Sequence, residues 1–160
     1  MVNSSSLMPW QQPEIIQLSD RIFKSFEYWL KRPLIEVGYS SEEIAQALFE
    51  APFALMAHGT EADPIFSYGN RFALESFGFT WETFTKMPSR YSAEPVEREE
   101  RERLLQDSQR QGFIPKFQVV RVTRTGQHFL IEDGILWNLL DEQEQYCGQA
   151  AIYSQWTPLE

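Results

Sequence analysis

From Glu14 to Lys31 apolar side chains fall at Ile15, Leu18, Ile22, Phe26 and Trp29, in steps of three and four, with Ile16, Phe23 and Leu30 widening the stripe. This spacing keeps returning to one face of a 3.6-residue helix, so it predicts an amphipathic helix, ended by Pro33. Ser40 with Glu43 three positions on is a capping box ahead of Ile44, Ala47, Leu48 and Phe49, which predicts a second, shorter helix to about Pro52. Two short apolar runs follow, Phe53 to Ala57 and Ile65 to Tyr68, bounded by Pro52, the His58-Gly59 turn and Pro64, and these read as a strand pair. Asn70 stands where an Asx cap would open a small helix through Phe72, Ala73, Leu74 and Phe77, with Gly78 in the left-handed position past its end. Thr80 caps another, with Trp81 and Phe84 on one face and Pro88 closing it.

A longer helix opens at Ser92 and Pro95 and runs to about Gln111, with Gly112 closing it. Glu97 with Arg101 and Glu99 with Arg103 stand in the favourable i, i+4 order, and Val96, Leu104 and Leu105 supply only a narrow apolar stripe. The period then shortens to two. Phe117 to Arg124 is β-branched and polar by turns, Thr125-Gly126 turns the chain, and Phe129, Ile131, Ile135, Trp137 and Leu139 mark the returning strand. A turn at Asp141 to Gln145 leads into a last strand from Tyr146 to Trp156. The fold class is α+β: a five-stranded antiparallel sheet with short helices on one face and an N-terminal amphipathic helical extension. Residues 1–13 read as a flexible lead-in, 14–40 as the extension and 41–157 as the domain proper.

At 160 residues the chain suits a single core, and 42% hydrophobic with 14% aromatic residues is a folded composition. Fourteen basic against 23 acidic residues, a net charge of −9, repel a phosphate backbone and argue against nucleic acid as a partner. One cysteine, Cys147, makes no internal disulfide, and with only His58 and His128 beside it no zinc site is expected. Met1 to Trp10 lacks a secretion-signal pattern and nowhere do 18 apolar residues run together, so a cytoplasmic protein without a membrane segment is expected.

The segment from His58 through Tyr68, Asn70 and Arg71, then Leu74, Phe77, Trp81, the Met87-Pro-Ser-Arg90 turn, Trp137-Asn138 and Gly148-Gln-Ala-Ala151 ending at Trp156, resembles the MEKHLA domain. The resemblance covers about residues 42 to 157. It implies a PAS-like domain of the kind that stands alone in bacteria and algae and closes plant class III homeodomain leucine-zipper transcription factors, where it is regarded as sensory and dimerisation-controlling. No homeodomain, heptad zipper or basic region occurs here, so DNA binding does not carry over. The implied function is a sensory or regulatory module that binds a small ligand and signals through dimerisation or a protein partner. The alternatives are a ligand-free interaction module, its core filled by Tyr68, Phe129, Trp137 and Tyr153, and an enzyme, for which no nucleophile with a base, phosphate loop or paired metal ligands can be read.

A PAS-like sheet and its small helices imply a cavity, so polar groups near it are the candidate ligand contacts. Tyr68 and Asn70 resemble the family's pair at the strand-to-helix junction, although Asn70 has a plainer use as a helix cap. Arg90 could clamp a carboxylate or phosphate, or pair with Glu94 or a helix carbonyl. Asp133 interrupts its strand's apolar alternation, which points first to a bulge with Gly134 and second to a cavity group. His128, Trp137 and Gln149 complete the candidates; His58, among Glu61 and Asp63, reads as a solvated or hydrogen-bonded loop histidine. No catalytic or metal-ligating residue is expected, and no cofactor. A flavin–cysteinyl adduct is excluded because Ser89 to Glu94 has no cysteine and the flavin-contacting glutamine of light-sensing relatives corresponds to Ala150, with Gln149 expected on the opposite side of the strand. Haem is disfavoured because Val96 to Gln111 has no histidine. The extension's stripe must be covered, either by its own sheet or, through Ile22, Phe23, Phe26 and Trp29, by a second copy in a homodimer.

Overall fold

The computed structural model describes residues 8–36 and 40–159; the first part of the expected lead-in and positions 37–39 of the extension lie outside that set. Helices α1 (Pro13–Leu30), α2 (Ser41–Phe49), α3 (Arg71–Phe77), α4 (Trp81–Phe84) and α5 (Arg98–Gln111) alternate with strands β1 (Ala54–His58), β2 (Phe66–Gly69), β3 (Phe113–Val122), β4 (His128–Leu140), β5 (Tyr146–Tyr153) and β6 (Trp156–Pro158). The strands make one antiparallel sheet in the order β2-β1-β5-β4-β3. The sheet thus has six strands rather than five. The expected last strand breaks at Ser154-Gln155, and β6 resumes its line beside β4, pairing Trp156 with Ile131. The lead-in is structured from Met8 onward, where Pro9–Gln11 makes a turn of 3₁₀ helix ahead of Pro13, the first residue of α1.

The capping signals act as read. Ser40 and Glu43 close a reciprocal box at the start of α2, Asn70 caps α3 through the Ala73 amide, and Gly78 ends it with φ +83°. The long helix begins later than expected: Ser89–Ser92 and Pro95–Glu97 are 3₁₀ turns, and α5 proper starts at Arg98. Arg98 holds that entry by donating Nε to the carbonyls of Arg90 and Ala93. Val96, expected in the buried stripe, is 81% exposed, because the 3₁₀ geometry rotates it off the helix face.

Both faces of the sheet are covered, which is why all five residues of β1 are buried. On one face α1 and α2 lay Ile22, Phe26, Ile44 and Leu48 against Leu55, Ala57, Tyr68, Trp137 and Leu139. The Phe26 ring meets Trp137 edge-on at 4.9 Å. The stripe of α1 is therefore not free to join a second copy: Ile22 and Phe26 are fully buried within the chain, Phe23 packs against the same cluster, and Trp29 donates Nε1 to the Asn138 carbonyl at 2.9 Å. This corrects the expected dimer interface, and extension and domain share one core. The opposite face gathers Met56, Phe66, Phe77, Phe84, Val119, Phe129, Ile131 and Tyr153 beneath α3, α4 and α5.

Bulges decide which side chains reach which face. Val119 pairs with Ile131 but Phe117 with Gly134, so β4 carries two residues, Glu132 and Asp133, where β3 has one. The alternation of β4 flips there. Phe129 and Ile131 face α3–α5, whereas Ile135, Trp137 and Leu139 face α1. A compensating shift between Ile114 and Phe117 accommodates Pro115 in β3. A third shift, beyond Ala57, puts Phe66 and Tyr68 on opposite faces, although they lie only two residues apart.

Candidate functional site

Between α5 and the sheet lies a cavity of about 70 Å³. Its walls are largely apolar: Met56, Phe77, Leu104, Phe117, Ile131 and Leu136. The Phe117 ring lies directly over Gly134, where a Cβ would come within 2.4 Å of it, so this glycine lets the ring close the floor. Into this apolar space come six polar side chains, those of His58, Ser89, Ser92, Arg101, Arg121 and Gln149.

The elements aim these groups. Residues 101, 104, 105 and 108 recur on one face of α5, so Arg101 shares the inward face with Leu104 and Leu105, while Ser108 bonds Asn138 of β4. Arg101 is 4% exposed and donates Nη2 to the Ser89 hydroxyl and Nη1 to Glu102, at 3.2 Å, at the rim. The expected Glu97–Arg101 surface pair does not form, although Glu99–Arg103 does, at 3.2 Å. On β3 the alternation Phe117, Val119, Arg121 brings Arg121 to the same face, 8% exposed. Its one hydrogen bond among the described residues runs from Nη1 to the Val120 carbonyl at 2.8 Å. Burial, reinforced by the neighbouring Arg101 cation, lowers the Arg121 pKa to about 10, with Glu100 and Glu97 opposing from a distance.

Ser89 is held in place because the Met87-Pro88-Ser89 segment runs beside β2 like an added strand, with Phe66 donating to the Met87 carbonyl and Ser89 to that of Pro64. Ser92 donates its hydroxyl to the Ser89 carbonyl at 2.7 Å. His58, at the end of β1, sets Nδ1 3.0 Å from the Gly59 carbonyl and leaves Nε2 buried without a partner. Gln149 donates to the Leu105 carbonyl at 2.9 Å. His58, Leu105 and Gln149 also line a second, larger pocket of about 240 Å³ between α5 and the Gly59–Pro64 loop, so these three stand between the cavity and that mouth-like recess.

Of the seven residues expected to contact a ligand, only Gln149 lines this cavity. Its placement reverses the expectation that it faces away: Gln149, Ala151 and Tyr153 turn toward α5, while Ala150 packs in the α1-side cluster. Tyr68 and Trp137 lie on the α1 face because of the bulges described above. Asn70 is fully buried with every polar atom engaged: Oδ1 accepts from Leu55 and Ala73, and Nδ2 donates to the carbonyls of Leu48 and Phe53. Arg90 points outward, pairing with Asp63 at 3.0 Å and stacking on Tyr91, rather than with Glu94. His128 lies on the surface 3.9 Å from Glu94. Asp133, at the bulge, accepts from the amides of Ser154 and Gln155 and so fixes the break between β5 and β6. Its hydrogen bonds from Ser154 and Gln155 hold its carboxyl below the usual range despite the opposing effect of burial.

Arg101, Arg121, His58, Ser89 and Ser92 are the polar cavity groups that sequence reading missed. The two arginines did leave a signal, since each occupies an apolar face at that face's own spacing, as Leu104, Leu105 and Ser108 mark for Arg101 and Phe117 and Val119 for Arg121. The segment Ser89 to Glu94 includes no thiol, and Cys147 lies in β5 against the α1-side cluster. Among the described residues no group of three or more His, Cys, Asp or Glu side chains could hold a metal, and no helix is long and apolar enough to cross a membrane.

An antiparallel sheet in the order β2-β1-β5-β4-β3, holding a cavity under a crossing helix, is a PAS-type fold, and solved structures share that fold. A PAS domain from Colwellia psychrerythraea superposes with a TM-score of 0.59 at 17% identity, over 68% of this chain and 89% of that one. The light-state dimer of the fungal blue-light photoreceptor Vivid gives 0.59 at 14%, over 92% and 97%. The LOV domain of a blue-light-activated histidine kinase from Erythrobacter litoralis gives 0.52 at 15%, over 69% and 98%. No curated protein matches the chain. The MEKHLA domain model matches residues 16–158, α1 included, and the chain belongs to that family.

Proposed function

We propose that this domain is a sensory or regulatory module that holds a small organic ligand between α5 and the sheet and passes its occupancy on through dimerisation or a protein partner. The observation that carries this reading is the cavity itself, an apolar chamber entered by buried polar side chains, one of which, His58, presents an unpartnered Nε2. A volume of about 70 Å³ corresponds to roughly five water positions and is far below the ~300–1,000 Å³ of sites for drug-sized molecules. That favours a ligand of a few heavy atoms over a flavin or haem. The reading is of a binding site rather than a catalytic one, because Ser89 and Ser92 are bonded to an arginine and a carbonyl and not to a base. The lone thiol of Cys147 suits action in the cytoplasm.

Output has a physical route. Along β5, Gln149, Ala151 and Tyr153 face the cavity while Ala150 and Ile152 face the α1 cluster, so a ligand that shifts β5 alters the packing beneath α1. With the α1 stripe bound to its own sheet, a partner meets other faces of the protein or waits for α1 to shift.

Mass spectrometry of the purified full chain, sprayed first under native and then under denaturing conditions, tests the reading. A small-molecule adduct present in the native spectrum and released on denaturation is expected. A bare chain in both, combined with no thermal stabilisation by any member of a metabolite panel, would leave the filled-core interaction module as the better account.

A further inference from the structure

Two guanidinium groups, Arg101 and Arg121, are buried at one cavity, and no carboxylate among the described residues is buried with them. The carboxylate that bonds Arg101, Glu102, is more than half exposed, and among the described residues Arg121 has no ion-pair partner. Burying the unpaired Arg121 cation beside Arg101, whose partner Glu102 lies at the rim, costs free energy, and a fold carries such a pair when something else supplies negative charge. From this we propose that the cavity binds a short aliphatic monocarboxylate, its carboxylate between Arg121 and Arg101 and its tail against Phe117, Ile131, Leu136 and Leu104. The inference rests on the ligand-binding reading given above and narrows it to one chemical class.

Three features set that class. Planar guanidinium groups match a carboxylate with paired N–H donors, and Arg121 has only one of its donors engaged within the protein. The remaining lining is mainly apolar, which suits a hydrocarbon tail and disfavours a dicarboxylate or a sugar phosphate. The volume of about 70 Å³ limits the tail to a few carbons. Carboxylate entry also relieves the repulsion between the two arginines. The mouth beside His58 and Gln149, lined by Glu61 and Glu102, gives the anion no cationic funnel, so selectivity resides in the chamber.

The test is calorimetric titration of the full chain with acetate, propionate and butyrate, each beside its uncharged amide. One-site saturable binding of a carboxylate, at least tenfold tighter than its amide, is expected, together with a rise in melting temperature that follows carboxylate concentration. In Arg121→Gln the affinity falls at least tenfold, whereas Arg103→Gln, on the outer surface of α5, leaves it unchanged. Equal binding of carboxylate and amide would overturn the anion assignment while leaving a ligand cavity standing. Binding of neither, in a protein that still releases an uncharged small molecule on denaturation, would overturn the assignment alone; binding of neither with no released molecule would remove both. The carboxylate–amide comparison uses the natural chain, so it decides the matter even where Arg121→Gln fails to fold.

Discussion

Asn70 ties three elements together with one amide. Its four hydrogen bonds join the end of α2, the start of β1 and the first turn of α3 in a site from which water is excluded. Asn70→Ala leaves buried donors and acceptors unmatched and is expected to cost about 3 kcal/mol or more, read from urea unfolding; a loss below about 1 kcal/mol would show the cap alone to matter. The cap was legible in the sequence, but not the other three bonds, because nothing in local spacing tells that Leu48, Leu55 and Phe53 converge on one side chain. His58 makes the complementary case. Burial holds its imidazole below the ordinary value of 6.5; the Gly59 carbonyl opposes that effect, Arg101 reinforces it, and Glu61 and Glu102 oppose it in turn. The unfolded chain then takes up a proton before the folded one does, so stability is full above about pH 6.5 and declines as pH falls toward the depressed folded value. His58→Gln should flatten that decline between about pH 7 and 5 in denaturant titrations. A slope identical to that of the natural chain would mean the burial is not felt.

Element by element, periodicity located the five α-helices and both strand groups, and caps located the helix ends except the start of α5, where two 3₁₀ turns precede Arg98. The break in alternation at Asp133 did mark the bulge before Gly134, but not the change of face that follows it, nor the shifts at Pro115 and beyond Ala57. A strand's alternation assigns faces only while register holds, and the extra residues at Glu132–Asp133 and after Ala57 exchange the faces of Trp137 and Tyr68. Three of the misplaced site residues, Tyr68, Trp137 and Asp133, stand in such irregular strands. For Arg101 the misreading was of another kind: its spacing from Glu97 suggested a solvent pair, when its spacing to Leu104 and Leu105 put it inside. The junction of α5 with α1 rests on Gly112, which has φ +101° and lies so close to Trp29 that a Cβ would come within 2.4 Å of the indole. Gly112→Ala combines left-handed strain with that overlap and should destabilise by about 2 kcal/mol or more, with a red shift of tryptophan emission as Trp29 is displaced. An unshifted spectrum and unchanged unfolding midpoint would mean that α1 does not bear on this corner.

At the scale of the whole molecule, one sheet separates two packed layers, the one that holds the cavity under α5 and the cluster under α1. The chain as a whole carries a net charge of −9, yet two of its cations lie buried, an arrangement composition alone cannot display because it sums over surface and core. The family and the order of the elements were readable from the sequence, but the cavity was not, since its polar groups come from five separate parts of the chain. The central claim is that occupancy of the chamber is felt across the sheet. Amide hydrogen exchange of the chain as purified, against the same chain stripped by denaturation, dialysis and refolding, tests this most directly. The account predicts faster exchange on stripping in α5 and β5, extending to α1; identical exchange in both preparations, with a ligand demonstrably removed, would contradict it.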